Sequence, residues 1–164
     1  MARLGMDEAS VRALNPTIVY ASISGFGQDS PLKNWPAFDL VIQAMSGMMS
    51  TTGPKGGPMT AVGESIADVC TGMFATFGIV AALFDRERNG KGRHVDVAML
   101  DSVMAMELTG LSRQLYSGDT PKPAGNRHPV TYPVDSFPTT GDDIVMVCFS
   151  QASFRSLCAL MGAP

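Results

Sequence analysis

Sixteen consecutive residues, Val69 to Phe84, carry no charge, and this run constrains the fold more than any other feature. It is interrupted by Thr71, Gly72, Thr76 and Gly78 and falls short of the ~18 to 20 apolar residues that a bilayer span requires. It therefore predicts a buried helix and no membrane anchor. The helix starts near Ser65 or Ile66 and closes in the charged turn Asp85, Arg86, Glu87, Arg88 before Asn89 and Gly90, a natural C-terminal stop. Only 16% of the chain is charged and 45% is apolar, against about 25% charged in soluble domains. More of this chain than usual must be covered, by its own packing or by another chain.

The surrounding elements read as α/β. A short helix over Asp7–Leu14 stops at Asn15 and Pro16, where proline removes a donor and turns its predecessor away from helical angles. Thr17 to Ser24, TIVYASIS, is β-branched, aromatic and nearly continuous in apolarity, as in a strand covered on both faces. It empties into the loop Gly25–Pro36. Phe38, Val41, Ile42, Met45, Met48 and Met49 then mark an amphipathic helix. A glycine-rich loop, Gly53–Gly63, leads into the long helix, and His94–Met99 follows it as a strand before a helix over Leu100–Tyr116. Five prolines between Ser117 and Pro138 suggest a crossing between domains, after which Ile144–Phe149 reads as a strand and Ser153–Met161 as a helix. The expected division is 1–116 in a large domain, 117–138 as the crossing and 139–164 as the start of a small domain.

Charge and cysteine usage exclude several functions. Net charge is −3 with no basic run, so no footprint for nucleic acid or an anionic membrane is present. Cys70, Cys148 and Cys158 are an odd, widely spaced set in apolar stretches, which fits a reducing, cytoplasmic compartment. With only His94 and His128 besides, nothing has metal-ligand spacing, and no metal is expected. The first residues include Arg3, Asp7 and Glu8 and lack the apolar stretch of a secretory signal.

Asp68 is the most informative side chain, because it opens a helix otherwise uncharged for four turns and directly follows the glycine-rich loop. An acid in a first helical turn favours the macrodipole by about 0.3–1 kcal/mol, which alone is reason for its presence. The same placement, beside backbone donors, also suits a carboxylate nucleophile that attacks an activated acyl group. Glu64 reads as a loop or capping group. Ser24 and Ser65 lack G-x-S-x-G and a positioned histidine, and Gly25 and Gly27 supply only a lone G-x-G. His128 in GNRHP reads as a turn residue bonding its own loop.

Five segments taken in order, NPTIVYASISGFGQ (15–28), AFDLVIQAMSG (37–47), IADVCTG (66–72), ALFDRERNGKGRHVDVAMLD (82–101) and GNRHP (125–129), resemble the family III CoA-transferases along essentially the whole chain. The resemblance implies the middle part of a Rossmann-like large domain running into the start of a smaller α+β domain, within an interlocked homodimer. It implies that Asp68 attacks an acyl-CoA thioester to form a mixed anhydride, and that CoA passes through an aspartyl thioester to a free carboxylic acid. Coenzyme A and acyl-CoA are then substrates, with no permanently bound cofactor. The CoA contacts would lie mostly in segments this chain lacks. A related racemase of the same scaffold uses a histidine at the position held here by Phe38, which can neither take nor give a proton. Transfer is thus preferred over racemisation or isomerisation, and Phe38 and Gly63 become expected walls of the substrate pocket. Full members of the family are well over twice as long, so the resemblance also implies a fragment, and a non-catalytic truncated product is the remaining alternative.

Overall fold

Two strands that run parallel cannot be joined by a tight turn; the chain between them must cross over, usually as a helix. That requirement organises the first part of the computed structural model, which describes residues 1–163. Strand β1 (Val19–Ser24) pairs in parallel with β2 (Arg93–Ala98), in a register that sets Ala21 beside Val95 and Ser24 beside Ala98. Before β1 comes α1 (Glu8–Leu14), whose first turn is capped by the Asp7 carboxylate accepting from the Ser10 amide at 3.1 Å. Between the strands lie α2 (Asp39–Ser46), α3 (Met48–Thr51) and α4 (Ile66–Asn89), and after them α5 (Met99–Met106) and α6 (Leu108–Ser117).

The chain divides into two compact units. The first, residues 1–49 and 61–121, is a mixed α/β layer whose core is built from Phe26, Ile42, Ala67, Cys70, Met99 and Val103. Helix α4 lies against β2 closely enough that a Cβ on Gly78 would sit 2.6 Å from Val95 Cγ1. The second unit, residues 50–60 and the chain from Lys122 onward, holds an antiparallel pair, β3 (Val134–Phe137) with β4 (Ile144–Val147), followed by α7 (Gln151–Leu160). Ser150 and Ser153 close a reciprocal capping box at the start of α7.

Several expectations change in detail. The amphipathic stretch over 38–49 is two helices, broken where Gly47 takes φ of 102°. The stretch over 100–116 is likewise interrupted at Glu107. Strand β3 falls inside 117–138, read from its prolines as a crossing, and the glycine-rich loop is shared, its residues up to Thr60 lying in the second unit.

Two burial expectations are corrected. Strand β1 is not covered on both faces: Ala21 and Ile23, which point to the same side, are exposed, Ile23 at 57%. Helix α4, expected to be buried, buries only Ala67, Cys70, Thr71, Ala75 and Ala82, while Val69, Met73, Phe77, Val80 and Phe84 remain exposed along its length. Length and composition would let this helix cross a membrane; here one of its faces packs on β2 and against α5 and the other is uncovered.

Candidate active site

The first four N–H groups of any α-helix lack partners within it, and a serine at the N-cap is the usual local answer. Ser65 holds the N-cap of α4 but makes no side-chain cap bond. The acceptor comes instead from another helix: the Asp39 carboxylate, in the first turn of α2, accepts from the Ala67 amide at 2.7 Å through Oδ1. Its Oδ2 accepts from Gln43 Nε2, also at 2.7 Å. Gln43 is 1% exposed, and its Oε1 accepts from the Val62 amide at 2.8 Å. One turn of α2 thus grips the entering loop at Val62 and again at Ala67.

Ala67 is also fixed from its other side. It is fully buried, and its carbonyl accepts from Thr71 Oγ1 at 2.5 Å and from Cys70 Sγ at 3.4 Å. Burial pushes the Cys70 thiol above its ordinary range, so it stays a neutral donor in this packing. The next residue is Asp68, third in the helix, with an exposed side chain. Among the described residues none forms a hydrogen bond or ion pair with its carboxylate. A free carboxylate on a backbone pinned one residue earlier has available lone pairs and a fixed point on the helix from which to reach.

The three residues singled out from the sequence flank this clamp. Phe38 precedes Asp39 and is 71% exposed. Gly63 follows Val62, and a Cβ there would meet nothing within 4 Å, so the backbone beside it is open. Asp68 follows Ala67. Sequence reasoning missed Asp39 and Gln43; their signal was a polar pair four residues apart, set within the apolar stripe of Phe38, Val41, Ile42 and Met45.

Other candidates divide differently. Ser24 Oγ accepts from the Gly27 amide at 3.0 Å and so shapes its own loop. Ser22 Oγ lies 2.9 Å from His94 Nε2 across the strand pair, a contact the sequence did not suggest. Among the described residues no carboxylate engages the other ring nitrogen, so the orienting third member of a serine triad is absent there. In the second unit, His128 Nδ1 accepts from the Thr131 amide at 3.0 Å, binding its own turn. Among the described residues no three metal-ligating side chains cluster, and all three cysteines are free thiols.

Residues 1–164 match the family described as CoA-transferase family III. The chain is 44% identical over its whole length to an acetyl-CoA:oxalate CoA-transferase of Acetobacter aceti, and 39% identical over 99% of its length to a succinate–glutarate CoA-transferase of Agrobacterium fabrum. It spans 42% and 40% of those two proteins. A CAIB/BAIF family protein from Brucella suis superposes on 98% of this chain with a TM-score of 0.84 and 33% identity, the match covering 43% of that structure.

Proposed function

Since this chain belongs to CoA-transferase family III, we propose that Asp68 is the nucleophile of CoA transfer from an acyl-CoA thioester to a free carboxylic acid. The observation that carries the reading is the exposed, unengaged Asp68 carboxylate directly after the pinned Ala67. A carboxylate oxygen of Asp68 attacks the thioester carbonyl, the C–S bond breaks, and CoA leaves as thiolate from an acyl–aspartyl anhydride. The thiolate then attacks the aspartyl carbonyl, releasing the donor acid and leaving an aspartyl–CoA thioester. An acceptor carboxylate attacks that thioester and expels the thiolate, which takes up the new acyl group and returns Asp68 unchanged. No net proton or electron is needed at any stage.

Each addition places negative charge on a carbonyl oxygen, which needs donors held in advance. The open backbone beside Gly63 is the group we assign to that task, with Phe38 as an apolar wall. Oxalate, glutarate and mesaconate in the names of related transferases support a small carboxylic acid, in particular a dicarboxylic one, as acceptor. The exposed apolar face of α4 supports a whole protein that covers it with further surface, for which we propose a homodimer. Three free cysteines, two of them buried, support a cytoplasmic setting.

The test is turnover of the whole protein with an acyl-CoA and a panel of small mono- and dicarboxylates. Asp68→Ala and Asp68→Asn are expected to lower kcat by roughly 10⁴-fold or more while the fold is kept. Parent turnover in a folded Asp68→Ala protein would refute the assignment.

A further inference from the structure

We infer that Asp39 is a positioning residue for the acyl transfer proposed at Asp68, a reading on which this inference rests: its carboxylate sets where the nucleophile stands by holding the Ala67 amide against α2. If α4 needed only a cap, Ser65 occupies the N-cap and carries a hydroxyl suited to it, yet that hydroxyl makes no cap bond. The acceptor is instead delivered from 28 residues earlier in the chain, and is itself steadied at 2.7 Å by Gln43. Because Gln43 also takes the Val62 amide at 2.8 Å, the segment from Val62 to Ala67 is tied at both ends to one turn of one helix.

That arrangement fixes more than stability. Phe38 and Asp39 are chain neighbours, as are Ala67 and Asp68, so the 2.7 Å bond ties together the two stretches of backbone that carry the expected pocket wall and the nucleophile. Gln43 and Ala67 are buried, at 1% and 0% exposure, and Asp39 between them is half-buried, so water reaches these bonds from the carboxylate side alone. Nucleophilic attack requires near-attack geometry, and a misplacement of ~1 Å is able to cost about 10²-fold in rate. Displacing the Asp39 acceptor by a methylene displaces Asp68 on that scale.

Two substitutions in the whole protein separate the acceptor's position from the rest of the carboxylate. Asp39→Glu keeps the charge and moves the acceptor, whereas Asp39→Asn leaves an acceptor oxygen in place for Ala67 and loses the charge together with the bond from Gln43 Nε2, whose hydrogens keep only their longer contacts to the Val62 and Glu64 carbonyls. We expect Asp39→Glu to lower kcat about tenfold or more, with KM for acyl-CoA within about twofold, because substrate binding is not what the bond controls. Asp39→Asn, which gives up the Gln43 bond but keeps the acceptor for Ala67, should lower kcat less than Asp39→Glu does and should keep hydrogen exchange at the Ala67 amide slower than in Asp39→Glu. Parent kcat in Asp39→Glu, or an inverted order in which the Asn variant is the slower, overturns the inference. Asp68→Ala run alongside tells the two readings apart. If it is inactive while Asp39→Glu is fully active, only the positioning role falls. If it turns over at the parent rate, the nucleophile reading falls and takes this one with it.

Discussion

At its N-terminal end α4 is held by the half-buried carboxylate of a residue 28 positions earlier, which bonds the buried Ala67 and Gln43. At its C-terminal end it is held by neighbours: Gly90 in the left-handed conformation returns its amide to the Arg86 carbonyl at 2.7 Å, and Arg93 Nε donates to Asp85 Oδ2 at 2.6 Å, all at the surface. One end is fixed by tertiary structure and the other by local chemistry. The fixed end is where the nucleophile is proposed, as expected if catalysis needs a side chain placed by rigid elements.

The contrast breaks if the two ends respond alike to damage. Gln43→Leu strips the Val62 amide of its acceptor in a buried setting and loosens Asp39. It is expected to destabilise by about 1–3 kcal/mol, read as a lowered urea midpoint. Gly90→Ala forces a Cβ into φ of 67° and should cost about 1 kcal/mol. Gln43→Leu should also speed hydrogen exchange at Ala67, and Gly90→Ala should leave that amide as slow as in the parent.

Smaller effects sharpen the picture through pH. At the far end of α2, Ser46 Oγ donates to Glu107 at 2.9 Å. Burial nonetheless holds that carboxyl above the usual glutamate range, the serine bond offsetting only part of the effect. A raised native value means that stability is complete below the unfolded pKa and declines as pH rises through the native one. Glu107→Gln, which removes the charge, should therefore raise the thermal midpoint at neutral pH and match the parent in acid. Asp85 behaves oppositely: bonds from Arg93 and then Asn89 hold it below the usual aspartate range. Its contribution is present above the unfolded value and lost as pH falls through the native one, so Asp85→Asn should lower the midpoint slightly at neutral pH and converge with the parent in strong acid. Added salt should shrink that difference, since the pair is exposed.

The same contrast governs what could be read from sequence. The C-terminal end of α4 was legible, because a charged turn followed by Asn89 and Gly90 is a local signal that acts locally. Asp68 was legible as an isolated acid opening an uncharged helix. The clamp was not: nothing in the chain near Ala67 announces an acceptor on α2, and Gln43 within an apolar stripe looks like any polar interruption until its burial is known. Breaks at Gly47 and Glu107 were hidden for the reverse reason, since apolar periodicity continues across them. Strand β3 was masked by flanking prolines, which mark turns strongly enough to hide four residues that find their partner in β4. The half-covered α4 was misread because composition reports that a surface wants burial, not what buries it.

The most direct test of Asp68 as nucleophile is chemical. The whole protein is incubated with an acyl-CoA, quenched with hydroxylamine or borohydride, digested and mapped by mass. The account expects a modification confined to the peptide that contains Asp68, dependent on acyl-CoA and absent from Asp68→Asn. Modification of a different carboxylate, with Asp68 recovered unaltered during active turnover, would contradict it.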